Sequence, residues 1–403
     1  MNVPKLRFKE FTDEWIAIKL NDISKTFDYG MNVASTSFDG KNKYIRITDI
    51  DDVSHKFLKN NIVSPSGSLE DKYLVRNDDI LFARTGASTG KTYLYNSNDG
   101  ILYFAGFLIR INVLKSYNSY FIFQNTLTKK YTDWVKVESI RSGQPGINAE
   151  QYKSYSIKCP TLAEQNKIAN FLTTVDKKIT NLENTITSLE NQKKGLLQQI
   201  FSQKLRFKDK NSNNYPNWEK KKLGDIGSFS RGGNLSKSDL SKKGTSCILY
   251  GELYTYYNEF ATEIKSKTLN TTNLVLSKKY DVLLPLSGET AEDISTCTCI
   301  FFDDIALGSD LLIFRSSFFD GRFMSLLLKY KYKYKIAQIA QGKSIVHISE
   351  KNIKNINIKI PCIEEQQNIA DFILIFTKKL ENQKAQLKHW KQIKKGLLQQ
   401  MFI

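Results

Sequence analysis

Cysteine and histidine are scarce, with five and three residues in a chain of 403. The thiols (Cys159, Cys247, Cys297, Cys299, Cys362) are odd in number and thinly spread. Neither a disulfide framework nor a zinc cluster is expected, and a reducing cytoplasm fits. No apolar run reaches the roughly 18 residues that a membrane helix needs. The polar start MNVPKLRFKEFTDEW has no signal-peptide character. Catalytic signatures are missing as well: there is no G-x-S-x-G, no H-E-x-x-H and no Asn-Pro-Pro-aromatic motif. The aspartate pairs Asp51–Asp52, Asp78–Asp79 and Asp303–Asp304 lack the Glu-x-Lys of a common nuclease pattern. Cys297 and Cys299 have no histidine near in sequence and read as buried thiols in a strand. The chain is expected to be non-catalytic, with no metal or cofactor of its own.

Positive charge is abundant. The chain holds 59 Lys and Arg against 41 Asp and Glu, a net +18. Such a surplus points to a polyanionic partner, nucleic acid first and an acidic membrane face second. Its distribution is uneven. Segment 164–201 carries +1 and segment 365–403 carries +4, leaving +13 on the rest. Two nearly neutral rods and two basic heads are implied, an arrangement suited to clamping a duplex through its phosphates.

The chain is written twice. PTLAEQNKIANFL from Pro160 meets PCIEEQQNIADFI from Pro361, and KKGLLQQIF at 193–201 meets KKGLLQQMF at 394–402, both at offset 201. LRFKEFTDEWIAIKLNDI from Leu6 is echoed by LRFKDKNSNNYPNWEKKKLGDI from Leu205. Between these anchors the halves diverge, apart from short echoes such as DDILFARTG (78–86) beside YDVLLPLSG (280–288). Two copies of one domain have kept a scaffold and changed a working surface. Duplication for structure alone is the blander alternative.

Each copy ends in a long helix with a heptad stripe. In the first it runs Ile168, Leu172, Val175, Ile179, Leu182, Ile186, Leu189, Leu196, Ile200, with Lys193 in the skipped place. In the second it runs Ile369, Ile373, Phe376, Leu380, Leu387, Trp390, Leu397, Met401, with Gln383 and Lys394 in the gaps. Each helix is the other's nearest partner. KKGLLQQMFI joined to PKLRF would recreate the LLQQIFSQKLRF junction, so the layout is quasi-cyclic and an antiparallel pair satisfies it. The expected class is α+β: two mixed α/β domains (1–160 and 204–361) alternating with two helical regions (162–203 and 363–403). The helices pair as an intramolecular antiparallel coiled coil, with a pseudo-two-fold axis. Gly195 and Gly396 occupy equivalent helical sites, where glycine costs about 1 kcal/mol against alanine. Close approach of another backbone and a tolerated kink explain them equally.

Within the heads, 43–50, 79–85 and 101–111 have strand composition, and 119–135 and 318–339 read as helical. ARTGASTGKT (83–92) offers Arg84 and Lys91 for DNA. It is no Walker loop, because only three residues separate Gly86 from Gly90. RSGQPGIN (141–148) offers Arg141 and Gln144, and AQGKSIVHI (340–348) offers Lys343, Ser344 and His347. RGGNLSKSDLSKKG (231–244) offers Arg231 and Lys237. For each, a plain surface turn is the competing reading. YKYKYK (330–335) interleaves ring and charge, as a phosphate contact or as the solvated side of a helix.

The ordered and duplicated motifs LRFKEFTDEW, DILFARTGAS, PTLAEQNKIANFL, PCIEEQQNIADFI and the two KKGLLQQ tails resemble the specificity subunit of a type I restriction-modification system. The resemblance covers nearly the whole chain. It implies two target-recognition domains, each reading half of a split double-stranded DNA target, and helices that act as a ruler. It also implies docking of two methyltransferase subunits, joined by restriction–translocase subunits. S-adenosylmethionine, ATP and Mg2+ would then sit on those partners. The family's helix-start and tail motifs map onto Glu164, Gln165, Gly195, Glu365, Gln366 and Gly396 as docking candidates. The second half departs from the pattern, with Leu286 and Ser287 where an ARTG-like arginine would stand. A non-catalytic protein scaffold is the leading rival, and a stand-alone nuclease the weaker one.

Overall fold

A computed structural model describes residues 3–342 and 346–403. The chain forms two compact units, one of Met1–Glu183 with Ala385–Ile403, the other of Asn184–Lys384. The boundaries fall inside the two long helices, Leu162–Phe201 and Ile363–Met401. Each unit is therefore a head together with part of both rods.

In the first unit a four-stranded antiparallel sheet runs Ser24–Tyr29, Leu108–Val113, Asp79–Ala83, Thr92–Leu94. Strand alternation sends Ile80, Phe82, Ile109 and Ile111 to one core with Trp15, Phe121 and Tyr152, and Leu81 and Ala83 to another with Ile45 and Phe104. Both faces are covered, which is why the strand is apolar from Ile80 to Ala83. The first core also takes in Ile168 and Leu172 from the first long helix and Leu398, Met401 and Phe402 from the second.

The second unit repeats the plan. Its main sheet runs Ser228–Arg231, Leu311–Arg315, Val282–Pro285, Thr298–Ile300, Phe260–Ala261, antiparallel except for the last, parallel pair. Leu197, Ile200 and Phe201 join Ile369 and Ile373 in its core. In each unit an entry strand pairs antiparallel with the strand that leads into a long helix: Ile16 opposite Cys159, and Glu219 opposite Ile360.

The repeated motifs turn out to be locks. Arg7 forks onto the Glu164 carboxylate with two bonds of 2.8 Å, and the Trp15 indole N–H donates to it at 3.2 Å. Arg206 forks onto Glu365 at 3.1 and 2.6 Å. The Gln165 amide donates to the Pro160 carbonyl and its oxygen accepts from the Asn118 N–H, while Gln366 does the same with Pro361 and Asp320. Asn118 and Asp320 are themselves helix N-caps. Glu164, Gln165, Glu365 and Gln366 are at most 1% exposed. Their polar atoms are taken up within the chain, where they tie each head to its helix start.

The long helices run antiparallel. Asp176 meets Lys394 at 2.7 Å and Glu183 meets Lys391 at 2.8 Å in the first unit; in the second, Glu190 meets Lys384 at 2.6 Å. Ile168, Leu172, Val175, Ile179, Leu182, Ile186 and Leu189 are all buried, as are Ile369, Ile373 and Leu380. Phe376, Leu387 and Trp390 are half-buried. Towards the helix ends the stripe slips by one residue. Leu197 and Leu398, rather than Leu196 and Leu397, are buried, because those turns pack into a head core.

The lysine that interrupts each stripe has a dedicated acid. In the first unit Lys394 bonds Asp176, which also accepts from the Tyr120 hydroxyl. In the second, Thr377 stands where the repeat would place Asp176, and the carboxylate comes instead from Glu259 of the head. Glu259 accepts from Lys193, Tyr330 and Thr377 and is fully buried. Burial alone would push its carboxyl up, but the Lys193 ammonium outweighs that and holds it below the ordinary glutamate range. A lowered native value stabilises the fold above the unfolded glutamate value of about 4.3, and that contribution disappears as pH falls through the native value. Chemical denaturation of the full chain between about pH 6 and pH 3 should show this loss in the second unit, and Glu259→Gln should flatten it. Glu259→Ala, which strands a buried ammonium, should cost about 3–5 kcal/mol at neutral pH.

Candidate nucleic-acid interface

The strand Asp79–Ala83 delivers the chain to Arg84, Thr85 and Gly86. Gly86 and Gly90 take left-handed backbone (φ 73° and 87°), which closes the loop tightly enough for the Gly90 N–H to reach the Ala83 carbonyl at 2.9 Å. The second loop singled out in sequence folds onto the first. Thr85 bridges Gly146, the Gly86 N–H donates to Pro145 at 2.8 Å, and the Ile147 N–H donates to Arg84 at 3.0 Å. Gln144 lies over Gly86, and Arg141 lies beside Gly146. The structure thus brings Arg84, Arg141 and Gln144 into one cluster.

Lys91 does not belong to it. Its ammonium donates to the Ile50 carbonyl at 2.9 Å and pairs with Asp52, leaving the side chain 11% exposed. In the free chain Lys91 serves as an internal brace. Arg141 donates to Gln151 at 3.0 Å but stays exposed, as does Gln144.

Arg84 is held in a defined pose. Its Nε donates to the Gly106 carbonyl at 3.0 Å, and its guanidinium lies over the Tyr29 ring, 5.0 Å from the centroid. Both lie on a cleft of about 550 Å³ that also has Phe107, Arg46, Met31 and Val33 in its walls. Sequence reading missed Tyr29 and Phe107, because ILYFAGFLIRI looks like one strand. The chain breaks it into Leu102–Phe104 and Leu108–Val113 at Gly106, leaving Phe107 56% exposed. The glycine was the available signal.

The second unit builds the same junction from different chemistry. Ser287–Gly288 pairs antiparallel with Val346–His347. The Ser287 hydroxyl donates to Asp310 at 3.0 Å and stands 2.9 Å from His347 Nδ1. With its one proton given to Asp310, the hydroxyl accepts from Nδ1–H of His347. Serine sits between acid and imidazole, so this is no hydrolytic triad. Arg231 is exposed where its strand ends, and the following turn is tied to the same neighbourhood by Gly232 to Leu311 and Ser309 to Leu235. Lys237 is exposed on the adjoining turn. Lys343 and Ser344 lie outside the described residues. YKYKYK is mostly engaged internally, through Tyr330 to Glu259, Lys331 to the Phe201 carbonyl and Lys333 to Glu292, while Tyr334 remains 82% exposed.

Cys297 and Cys299 are fully buried, and desolvation pushes the Cys297 thiol up to about 12. Among the described residues no group of His, Cys, Asp and Glu could hold a metal ion, and no helix is long and apolar enough to cross a membrane.

Comparison with known proteins agrees with this geometry. The family model for the type I restriction modification DNA specificity domain matches residues 12–191 and again 215–389, so the chain belongs to that family of specificity subunits. It is 24% identical to the putative type I restriction enzyme MjaX specificity subunit of Methanocaldococcus jannaschii, over 98% of this chain and 95% of that one. It is 23% identical to the MjaVIII specificity subunit of the same organism, over 86% and 83%. A solved type I restriction-modification S subunit from M. genitalium shares the fold, with a TM-score of 0.63 at 16% identity, covering 100% of this chain and 99% of that one.

Gly86→Val should cost the first unit about 1–3 kcal/mol, because the left-handed backbone penalises a β-branched residue. Gln144, a flexible neighbour, can move aside and adds little. Thermal unfolding of the full chain checks this, and the same change at Gly195, where an added Cβ meets nothing, should be neutral or stabilising by under about 0.5 kcal/mol, since valine is a better helix former than glycine.

Proposed function

We propose that the chain is the DNA-reading subunit of a type I restriction-modification complex, each unit reading one half of a bipartite, asymmetric double-stranded target. The observation that carries the reading is one scaffold built twice with different chemistry at the same loop junction, Arg84 with Gln144 in one unit and Ser287 with His347 in the other. Shared locks explain why the scaffold repeats, and unlike loops explain why the two half-sites would differ. The +13 outside the rods supplies phosphate attraction. Methyl transfer, translocation and cleavage fall to methyltransferase and restriction–translocase subunits, which would bring S-adenosylmethionine, ATP and Mg2+.

Two equivalent surfaces support docking of two copies of one partner. In the first unit exposed Leu6 and Leu162 accompany Phe171, and the Leu6 N–H donates to Gln400, one turn beyond Gly396. In the second, exposed Leu205 and Ile363 accompany Phe372, and the Leu205 N–H donates to Gln199, one turn beyond Gly195. Neither glycine has any atom near a would-be Cβ, so a partner backbone could approach both. This favours the docking reading of the glycines over a kink.

The assembled complex should methylate a split target with one preferred spacer. Both long helices pass through both units, so inserting seven residues in each adds about 10 Å. The preferred spacer should lengthen by roughly three base pairs, at 3.4 Å each, or modification should stop. Modification indifferent to spacer length would sink the ruler. Leu6→Asp with Leu205→Asp should abolish capture of methyltransferase subunits while the free chain keeps its salt-sensitive DNA affinity. Retained capture would remove the docking surfaces from the proposal.

A further inference from the structure

We infer that the cleft beside Arg84 is a guanine-reading subsite, with Arg84 as the residue that fixes one G·C position of the half-site read by the first unit. The inference rests on the reading that this unit binds DNA, and adds which residue reads and what it reads.

Two arginines line the cleft, and their circumstances differ. Arg46 is neutralised: its Nε and Nη2 grip the Asp49 carboxylate at 2.8 and 2.9 Å, and its Nη1 lies 3.5 Å from the Ser35 hydroxyl. Arg84 has no acidic partner among the described residues. Its Nε is fixed on the Gly106 carbonyl and its Cζ lies over the Tyr29 ring, while Nη1 and Nη2 have no partner among the described residues. Tyr29 is itself anchored, since its hydroxyl accepts from the Ala149 N–H at 3.2 Å. The result is a fork whose rotamer freedom is largely removed before any ligand arrives, leaving two parallel donors open.

Such a fork matches two acceptors side by side, as guanine O6 and N7 or as two phosphate oxygens. The surroundings decide between them. Beside the fork stand an exposed phenylalanine, the tyrosine ring and the aliphatic walls of Met31 and Val33. Flat apolar surface suits a base or a thymine methyl, whereas a phosphate seat is normally built of amide N–H groups and hydroxyls. The partner unit's equivalent position holds Leu286 and Ser287, so the second half-site should lack this contact.

The test uses the complete complex with its methyltransferase subunits, and reads methylated sites across a genome for wild type, Arg84→Gln, Arg84→Lys, Tyr29→Leu and Tyr29→Phe. Arg84→Gln should lower discrimination at one G·C position of one half-site by roughly 10- to 100-fold. The other half-site and the spacer should be unchanged. Arg84→Lys should lose most of the same discrimination, since a point charge cannot replace the fork. Tyr29→Leu should weaken that one position less, and Tyr29→Phe, which keeps the ring but gives up the Ala149 bond, should weaken it least. If Arg84→Gln fails to fold, the Tyr29 pair still decides. Loss spread evenly over all sequences, or no change in any base preference, overturns the inference while leaving the parent reading standing. A wild-type complex with no split target would overturn both.

Discussion

An arginine forked onto a buried glutamate carries this architecture twice. Arg7 on Glu164 and Arg206 on Glu365 join the first residues of each head to the first turn of the helix that leaves it. The acid lies among the free N–H groups of a helix start, so the helix dipole and the guanidinium both favour its charge. Around it the neighbouring glutamine fixes the backbone of the strand end and of the following helix cap. The orientation of head to helix is thus set by a few desolvated polar bonds, and apolar packing fills in behind them. The two copies are not identical: the Trp15 N–H reaches Glu164, whereas the Trp218 N–H is buried without a partner among the described residues and Lys331 lies over its ring.

Much of the plan was legible in the sequence because it was written twice. A period of 201, a heptad stripe and a basic excess that falls mostly outside the rods lead to paired rods and divergent readers. What the pattern could not reveal was purpose at single positions. Glu164 and Gln165 look like surface features of an amphipathic helix start, and nothing local shows that Arg7 lies across from them. Lys91 looks free beside two glycines, yet Asp52 and a carbonyl from a distant turn claim it. Long-range partners of this sort leave no periodic trace. The same limit hides the junction of Thr85 with Gly146, although each loop stands out in the sequence by itself.

The lysines within the stripe show how a duplicated chain differentiates without losing its frame. Lys193 and Lys394 are equivalent by sequence, and each needs a carboxylate. One finds it on the opposite rod's partner face at Asp176, the other on the head at Glu259. The demand is conserved between the copies while the supplier has moved. A buried ammonium is intolerant of neglect, so the relocated acid had to be in place whenever Thr377 stood where an aspartate would have served.

The first unit is assembled from both ends of the numbering. Phe402 stacks on Phe121 at 5.2 Å and meets Trp15 edge-on at 6.4 Å, and the Leu6 N–H seeks the Gln400 carbonyl. The second unit, by contrast, is one uninterrupted stretch. Closing the aromatic interior of the first unit is therefore a long-range event, in which segments from opposite extremes of the numbering must meet before Trp15 and Phe121 are fully covered.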